Sequence, residues 1–154
     1  DGKYDLVYAW DATGASSGTG NWKMYDPDVL IPQSLTALSN GMGFWILMTQ
    51  AATLDVSGTI PTTTSVSLLT SAGGWNLVGY PSAGSEALPG ALTDHGVGST
   101  DYSLVYAYHA AELEDVWKMF DSTAVPYAND LTAMAPGWGY WIKVSSAGTW
   151  SVDY

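Results

Sequence analysis

Apolar and aromatic side chains alternate with small or polar ones along much of the chain. Tyr4, Leu6, Tyr8 and Trp10 interleave with Asp5, Val7, Ala9 and Asp11; Tyr102, Leu104, Tyr106 and Tyr108 interleave with Ser103, Val105, Ala107 and His109. A period of two puts successive side chains on opposite faces of a pleated strand, and aromatic content favours that reading. The same pattern predicts strands over residues 22–25 and 116–120, over 43–48 and 139–144, and over 53–56 and 149–152. The last two pairs are joined by four-residue stretches, 49–52 and 145–148, of a length that suits hairpins. Residues 74–80 read as a further strand halted by Pro81, and 65–69 as an edge strand within a Thr/Ser-rich stretch that also holds Gly58 and Pro61. One helix is predicted, over 85–95, with Ser85 as its N-cap and Gly96 just past its end.

The pattern is written twice. Tyr4-Asp-Leu-Val-Tyr-Ala-Trp10 returns as Tyr102-Ser-Leu-Val-Tyr-Ala-Tyr108, and Trp22-Lys-Met-Tyr-Asp26 as Trp117-Lys-Met-Phe-Asp121. Leu35-Thr-Ala-Leu38 returns as Leu131-Thr-Ala-Met134, and Gly41-Met-Gly-Phe-Trp-Ile46 as Gly137-Trp-Gly-Tyr-Trp-Ile142. The offsets, 98, 95, 96 and 96, leave almost no room for insertions. Self-similarity at a fixed period decides architecture before any local signal does. The expectation is an all-β protein of two homologous small sandwich- or barrel-like units related by a pseudo-twofold axis, residues 1–60 and 61–154, with aromatic faces that share a core. Only the second unit has the leading strand and the helix; three residues precede Tyr4.

Composition narrows the setting. Fifteen acidic residues face four lysines and no arginine, for a formal charge of −11. A polyanion needs cationic contacts, so nucleic acid is not an expected partner. No apolar run reaches the ~18 residues of a membrane-spanning helix, so membrane insertion is not expected either. The absence of cysteine removes disulfides, thiolate nucleophiles and cysteine-bound metals together. Charged residues are only 12% of the chain, about half the usual share, so Ser, Thr, Gly, Asn and Tyr must build the surface. The chain opens at Asp1 with neither Met nor a leader, which we read as processing or excision from a longer chain.

Few side chains offer chemistry. The paired glycines Gly41/Gly43 and Gly137/Gly139 read as tight turns with positive φ, or as bare backbone beneath an aromatic. Lys23 and Lys118 stand three residues before Asp26 and Asp121, consistent with local ion pairs or with stems lying over aromatics. His95 and His109 occupy no repeated position, and no Gly-x-Ser-x-Gly elbow is present. Asp26-Pro-Asp28 and Glu112-Leu-Glu-Asp115 are the local carboxylate clusters, the latter placed in a solvated loop opposite the glycine-rich stretch 14–20. Neither matches a calcium-binding loop. No catalytic, metal or cofactor-binding residue is therefore assigned. Trp22, Trp45, Trp117 and Trp141 recur in register and are assigned to the core. Trp10, Trp138 and Trp150 do not recur as Trp; with Tyr108, the counterpart of Trp10, they are the candidate interface or ligand aromatics.

Gly74-Trp-Asn-Leu-Val-Gly-Tyr-Pro81, followed by Pro136-Gly-Trp-Gly-Tyr-Trp-Ile-Lys143, resembles the tandem "GWNLVGYP…GYWI" repeat modules of large secreted and cell-surface proteins of bacteria and archaea. The resemblance covers residues 65–154 fully and 4–56 in part. It implies extracellular or cell-surface placement and a non-catalytic, architectural or adhesive role. A unit short of a strand has an open edge that another chain can fill. The expectation is then a self-associating subunit of a surface fibre, sheath or repeat array. The alternative is a carbohydrate-binding or adhesion module working through exposed Trp and Tyr.

Overall fold

The computed structural model describes residues 2–14, 20–30 and 32–154. Among the described residues three strands precede residue 60: β1 (Tyr4–Asp11), β2 (Asn21–Tyr25) and β3 (Phe44–Met48). Eight follow: β4 (Thr63–Leu68), β5 (Trp75–Gly79), β6 (Glu86–Ala87), β7 (Tyr102–Tyr108), β8 (Trp117–Asp121), β9 (Ala133–Met134), β10 (Gly139–Val144) and β11 (Gly148–Asp153). A single-turn helix, α1, covers Gly90–Thr93. The protein is nearly all β, with several small sheets and, among the described residues, no closed barrel.

The repeat is visible in strand order. The first sheet runs β2-β1-β3 and the second β8-β7-β10-β5, so the shared strands stand in the same sequence and β5 is the addition. All these pairings are antiparallel. The outer edges of β2 and β8 are covered alike by a returning loop. Leu35 N–H donates to Met24 O at 3.0 Å, and Leu131 N–H to Met119 O at 3.0 Å. A side chain beside each completes the cover, Ser34 Oγ accepting from Met24 N–H at 2.8 Å and Asp130 Oδ1 from Met119 N–H at 2.6 Å.

Over the inner face of the second sheet lies a second layer. The β4–β11 pair contributes Leu68, Trp150 and Val152, α1 contributes Ala91 and Leu92, and Val97 follows it. These meet Val105, Tyr140 and Ile142 of the sheet in one buried cluster. Packing apolar faces in layers is what makes a sheet of this size stable. The first sheet has only a small cluster, Val7, Ala9 and Leu35, with Tyr4, Met42, Phe44 and Ile46 partly covered.

Two elements depart from expectation. Residues 53–56 form no strand. Their counterpart β11 is paired to β4, and among the described residues no β4-like strand stands beside 53–56, so the backbone has no ladder to join. The helix expected over 85–95 shrinks to one turn, because Glu86–Ala87 pairs with Ala133–Met134 and Pro89 takes the N-cap position. Ser85 is thus not a cap. The edge strand expected at 65–69 forms as Thr63–Leu68 against β11.

Gly41 and Gly137 take left-handed φ of 76° and 82°, as tight turns before β3 and β10 require. Gly43 lies against backbone rather than an aromatic: a Cβ there would stand 2.7 Å from the Val78 main chain. That approach lets Met42 form a bridge with Val78, and Gly79 N–H donate to Gly41 O at 3.0 Å, so β5 links the two sheets.

Candidate functional site

The aromatic faces of the two sheets meet along a seam whose contacts come in repeat-related pairs. Trp22 packs on Trp141 at 5.7 Å between ring centroids, and its counterpart Trp117 on Trp45 at 5.6 Å. Trp10 meets Trp141 at 5.6 Å; Tyr108 meets Trp45 at 5.1 Å. Trp10–Trp22 and Tyr108–Trp117 are both 5.2 Å apart. Tyr8–Trp22 and Tyr106–Trp117 close the set at 6.2 and 6.5 Å. Exchanging each residue for its repeat counterpart maps this network onto itself, as a pseudo-twofold axis does. The four tryptophans expected in the core thus form the seam between repeats, and its rim is open: Trp22 and Trp117 are about half exposed.

Trp75 of β5 has no counterpart, and it breaks the symmetry. Its ring packs on Trp141 at 6.2 Å and on Tyr106 at 6.0 Å, beneath Lys143 Nζ. Its carbonyl accepts the Trp10 indole N–H at 2.9 Å. With Trp10, Trp22, Tyr106, Trp117 and Trp141 it lines an open cleft of about 560 Å³.

The candidate aromatics divide three ways. Trp10 is partly buried in the seam and grips β5. Tyr108 and Trp138 keep over a third of their surface exposed, Trp138 lying 4.1 Å from the His109 ring. Trp150 is fully buried, stacked on Tyr80 and donating its indole N–H to Ala91 O at 2.9 Å, so it is core and not surface. Its failure to recur as Trp has a different cause: at its counterpart, Leu54, there is no second layer to fill.

The second feature is this uncovered face. Leu54 is 65% exposed where Trp150 is 0%, and Val56 83% where Val152 is 1%. Leu38 is 47% exposed against 0% for Met134, and Met48 43% against 5% for Val144. Full burial of such a side chain is worth ~1.5–3 kcal/mol, and each of these forgoes a share of it in proportion to its exposure. A trough of about 890 Å³ runs over this face, lined by Tyr4, Val7, Leu38, Ile46, Met48 and Leu54 among others. Beside it, β3 forms the edge of its sheet and pairs as a strand with β1 alone, whereas its counterpart β10 is flanked by β7 and β5. Sequence reasoning anticipated an incomplete first unit but passed over Leu38, Met48, Leu54 and Val56. Their counterparts' apolar character was the available signal.

The polar residues are engaged in holding loops. Glu86 accepts from the Tyr80 hydroxyl at 2.8 Å and contacts His95 Nε2 at 2.7 Å, while His95 Nδ1 lies 3.2 Å from Ser151 O. This ties β6 and the end of α1 to β11. The hydrogen bond from His95 holds the Glu86 carboxyl below the usual range, and burial beside Glu86 pushes the Tyr80 hydroxyl up to about 12. Lys118 binds Asp115 at 2.7 Å and Glu112 at 2.8 Å rather than Asp121; Lys23 pairs with Asp11 at 3.6 Å rather than Asp26. Asp121 instead accepts from Thr123 in a turn, which lowers its pKa, and Asp26 accepts from Asp28 N–H. The glycine-rich stretch expected opposite Glu112 falls largely, at 15–19, outside the described residues. Among the described residues no group of three or more His, Cys, Asp or Glu is placed to hold a metal.

Comparison with protein families, with curated proteins and with solved structures finds no match for this chain.

Proposed function

We propose that this protein is a non-catalytic structural module of an extracellular or cell-surface assembly, joined head-to-tail to further repeats of its own kind. The reading rests on one observation: the first repeat keeps the sheet of the second but lacks the layer and the edge strand that complete it. An open edge of unpaired N–H and C=O groups beside an apolar trough is a template for an added strand. The contact joins unlike surfaces, an incomplete repeat to a complete one's elements, so it is head-to-tail, and repeated through a rotation that does not close it extends as a filament. The low charge density and the resemblance to surface repeat modules support the extracellular setting.

Light scattering coupled to size-exclusion chromatography, read across concentration, and electron microscopy test this. The expected result is mass that climbs without a plateau and linear particles of variable length. A monomer at every concentration, or a closed dimer, overturns it.

A further inference from the structure

The second repeat displays, strand by strand, what the first one lacks. In it, residues 63–79 act as a single clip across two layers. β4 pairs with β11 through Ser67↔Thr149, Val66↔Trp150, Ser65↔Ser151 and Thr64↔Val152. β5 pairs with β10 through Gly79↔Gly139, Val78↔Tyr140, Leu77↔Trp141, Asn76↔Ile142 and Trp75↔Lys143. Asn76, itself buried, locks the corner between the two strands. Its Oδ1 accepts from Leu69 N–H at 2.9 Å, and its Nδ2 donates to Leu69 O and to Gly74 O, both at 3.0 Å.

Shifted by the repeat offset of 96, the same pairings fall on residues 53–56 and 43–47. These are the stretch that fails to form its strand and the sheet edge that, among the described residues, pairs with no strand beyond β1, its Gly43 end alone being held by the Leu77 carbonyl. The grips on the outer side of β5 have twins too. Trp10 Nε1 and Met42 hold β5 by hydrogen bond and bridge. Their repeat counterparts are Tyr108 and Trp138, both exposed and facing no such strand. Trp45 and Tyr8, the counterparts of Trp141 and Tyr106, stand where an incoming tryptophan would pack as Trp75 does.

Resting on the structural reading above, we propose that the trough and the β3 edge receive a polypeptide segment with the pattern of residues 63–79. It lays one strand along 53–56, burying Leu54 and Val56, and a second along β3, with its Gly-Gly-Trp-Asn corner at the sheet edge. The occupant is thus a two-strand clip of this repeat family rather than a lone strand. Its backbone supplies both ladders, and its Val66, Leu68 and Trp75 positions supply the apolar contacts.

The test adds a synthetic peptide of residues 63–81 to the intact protein and reads calorimetry and amide hydrogen exchange. The expected result is saturable one-to-one binding with new protection over 43–48 and 53–56 and at 137–139, the counterpart of the Met42 grip. The same peptide carrying Val78→Pro, which removes a ladder donor, shows no binding. Leu54→Asp with Val56→Asp in the protein, at positions too exposed to disturb its fold, weakens binding by about tenfold or more. No binding by the parent peptide, or protection elsewhere, overturns the assignment. Arrays that form without peptide binding leave the structural reading standing and remove this segment as the joint. Peptide binding to a protein that never self-associates does the reverse.

Discussion

The two repeats share a sheet and differ in what lies upon it. In the second repeat, Val105, Ile142 and Met134 are sealed beneath β11, β4 and α1. In the first, Val7 and Ala9 are buried, but Leu38 and Met48 look into an open trough. The contrast teaches that the aromatic seam and the inner core are separate sources of stability. The seam is common property, since its Trp22–Trp141 and Trp45–Trp117 contacts and those around them come in twin pairs, and the contacts of Trp75 are the unmatched addition. The inner core belongs to each repeat alone, and in the first it shrinks to Val7, Ala9 and Leu35. The first sheet is therefore held by its back, through the seam and the Met42–Val78 bridge, and not by a front layer of its own.

Substitution at equivalent positions gives the largest expected contrast. Trp150→Ala removes a fully buried indole and its bond to Ala91 O, and is expected to destabilise the protein by about 3–5 kcal/mol. Leu54→Ala, the same position in the first repeat, is expected to change stability by less than about 0.5 kcal/mol. Denaturant titration of the two variants reads both; equal losses would break the distinction between covered and uncovered faces. The seam yields the next effect. Double-mutant cycles for Trp22–Trp141 and for Trp45–Trp117 are each expected to give a coupling of about 0.5–1.5 kcal/mol. Coupling in one pair and none in the other would show that the seam is not shared evenly.

The smallest effect is acid sensitivity in the second repeat. The Glu86 carboxyl is held below its ordinary value of 4.5 by His95 and Tyr80. A lowered folded-state pKa contributes stability that is fully present above about 4.5 and is lost as pH falls through the folded value. Because the group is a third exposed, solvent screening limits the contribution to below about 1 kcal/mol. Glu86→Gln is expected to flatten that part of the stability–pH curve as pH falls below about 4.5, while leaving the slope from Asp11, in the first repeat, in place. An unchanged curve in thermal melts would detach the Glu86–His95 link from the folded state's stability.

The strands with period-two aromatics were legible in sequence because their pattern and their partners both lie within the chain. Residues 53–56 show the limit of that reading. Thr53-Leu-Asp-Val56 has the same alternation as Thr149-Trp-Ser-Val152, yet only the latter finds a partner in β4. Alternation states a preference for a ladder, not the presence of one. Trp150 was misplaced for the same reason seen from the other side. Its mismatch with Leu54 reflects a layer that one repeat lacks, and it carries no information about exposure. The seam was legible as recurring tryptophans, whereas its open rim at Trp22 and Trp117 depends on how two sheets are set against each other. The helix over 85–95 yielded to the pairing of Glu86 with Met134 and Ala87 with Ala133, contacts between residues far apart in the chain that no local window contains.

The pairing of β4 with β11 also fixes how the molecule answers to tension. The strands are antiparallel, with Asp153 opposite Thr63, and Tyr154 N–H donates to Thr62 O at 3.0 Å. A pull entering through residues 57–62 and leaving at Tyr154 therefore acts on the same end of the ladder. It opens the rungs one after another, like a zipper, instead of loading them all in parallel. The Tyr154–Thr62 bond is the first latch to give and the Thr63–Asp153 side-chain bond, at 2.7 Å, the next, and Trp150 is drawn out of its pocket three rungs after that.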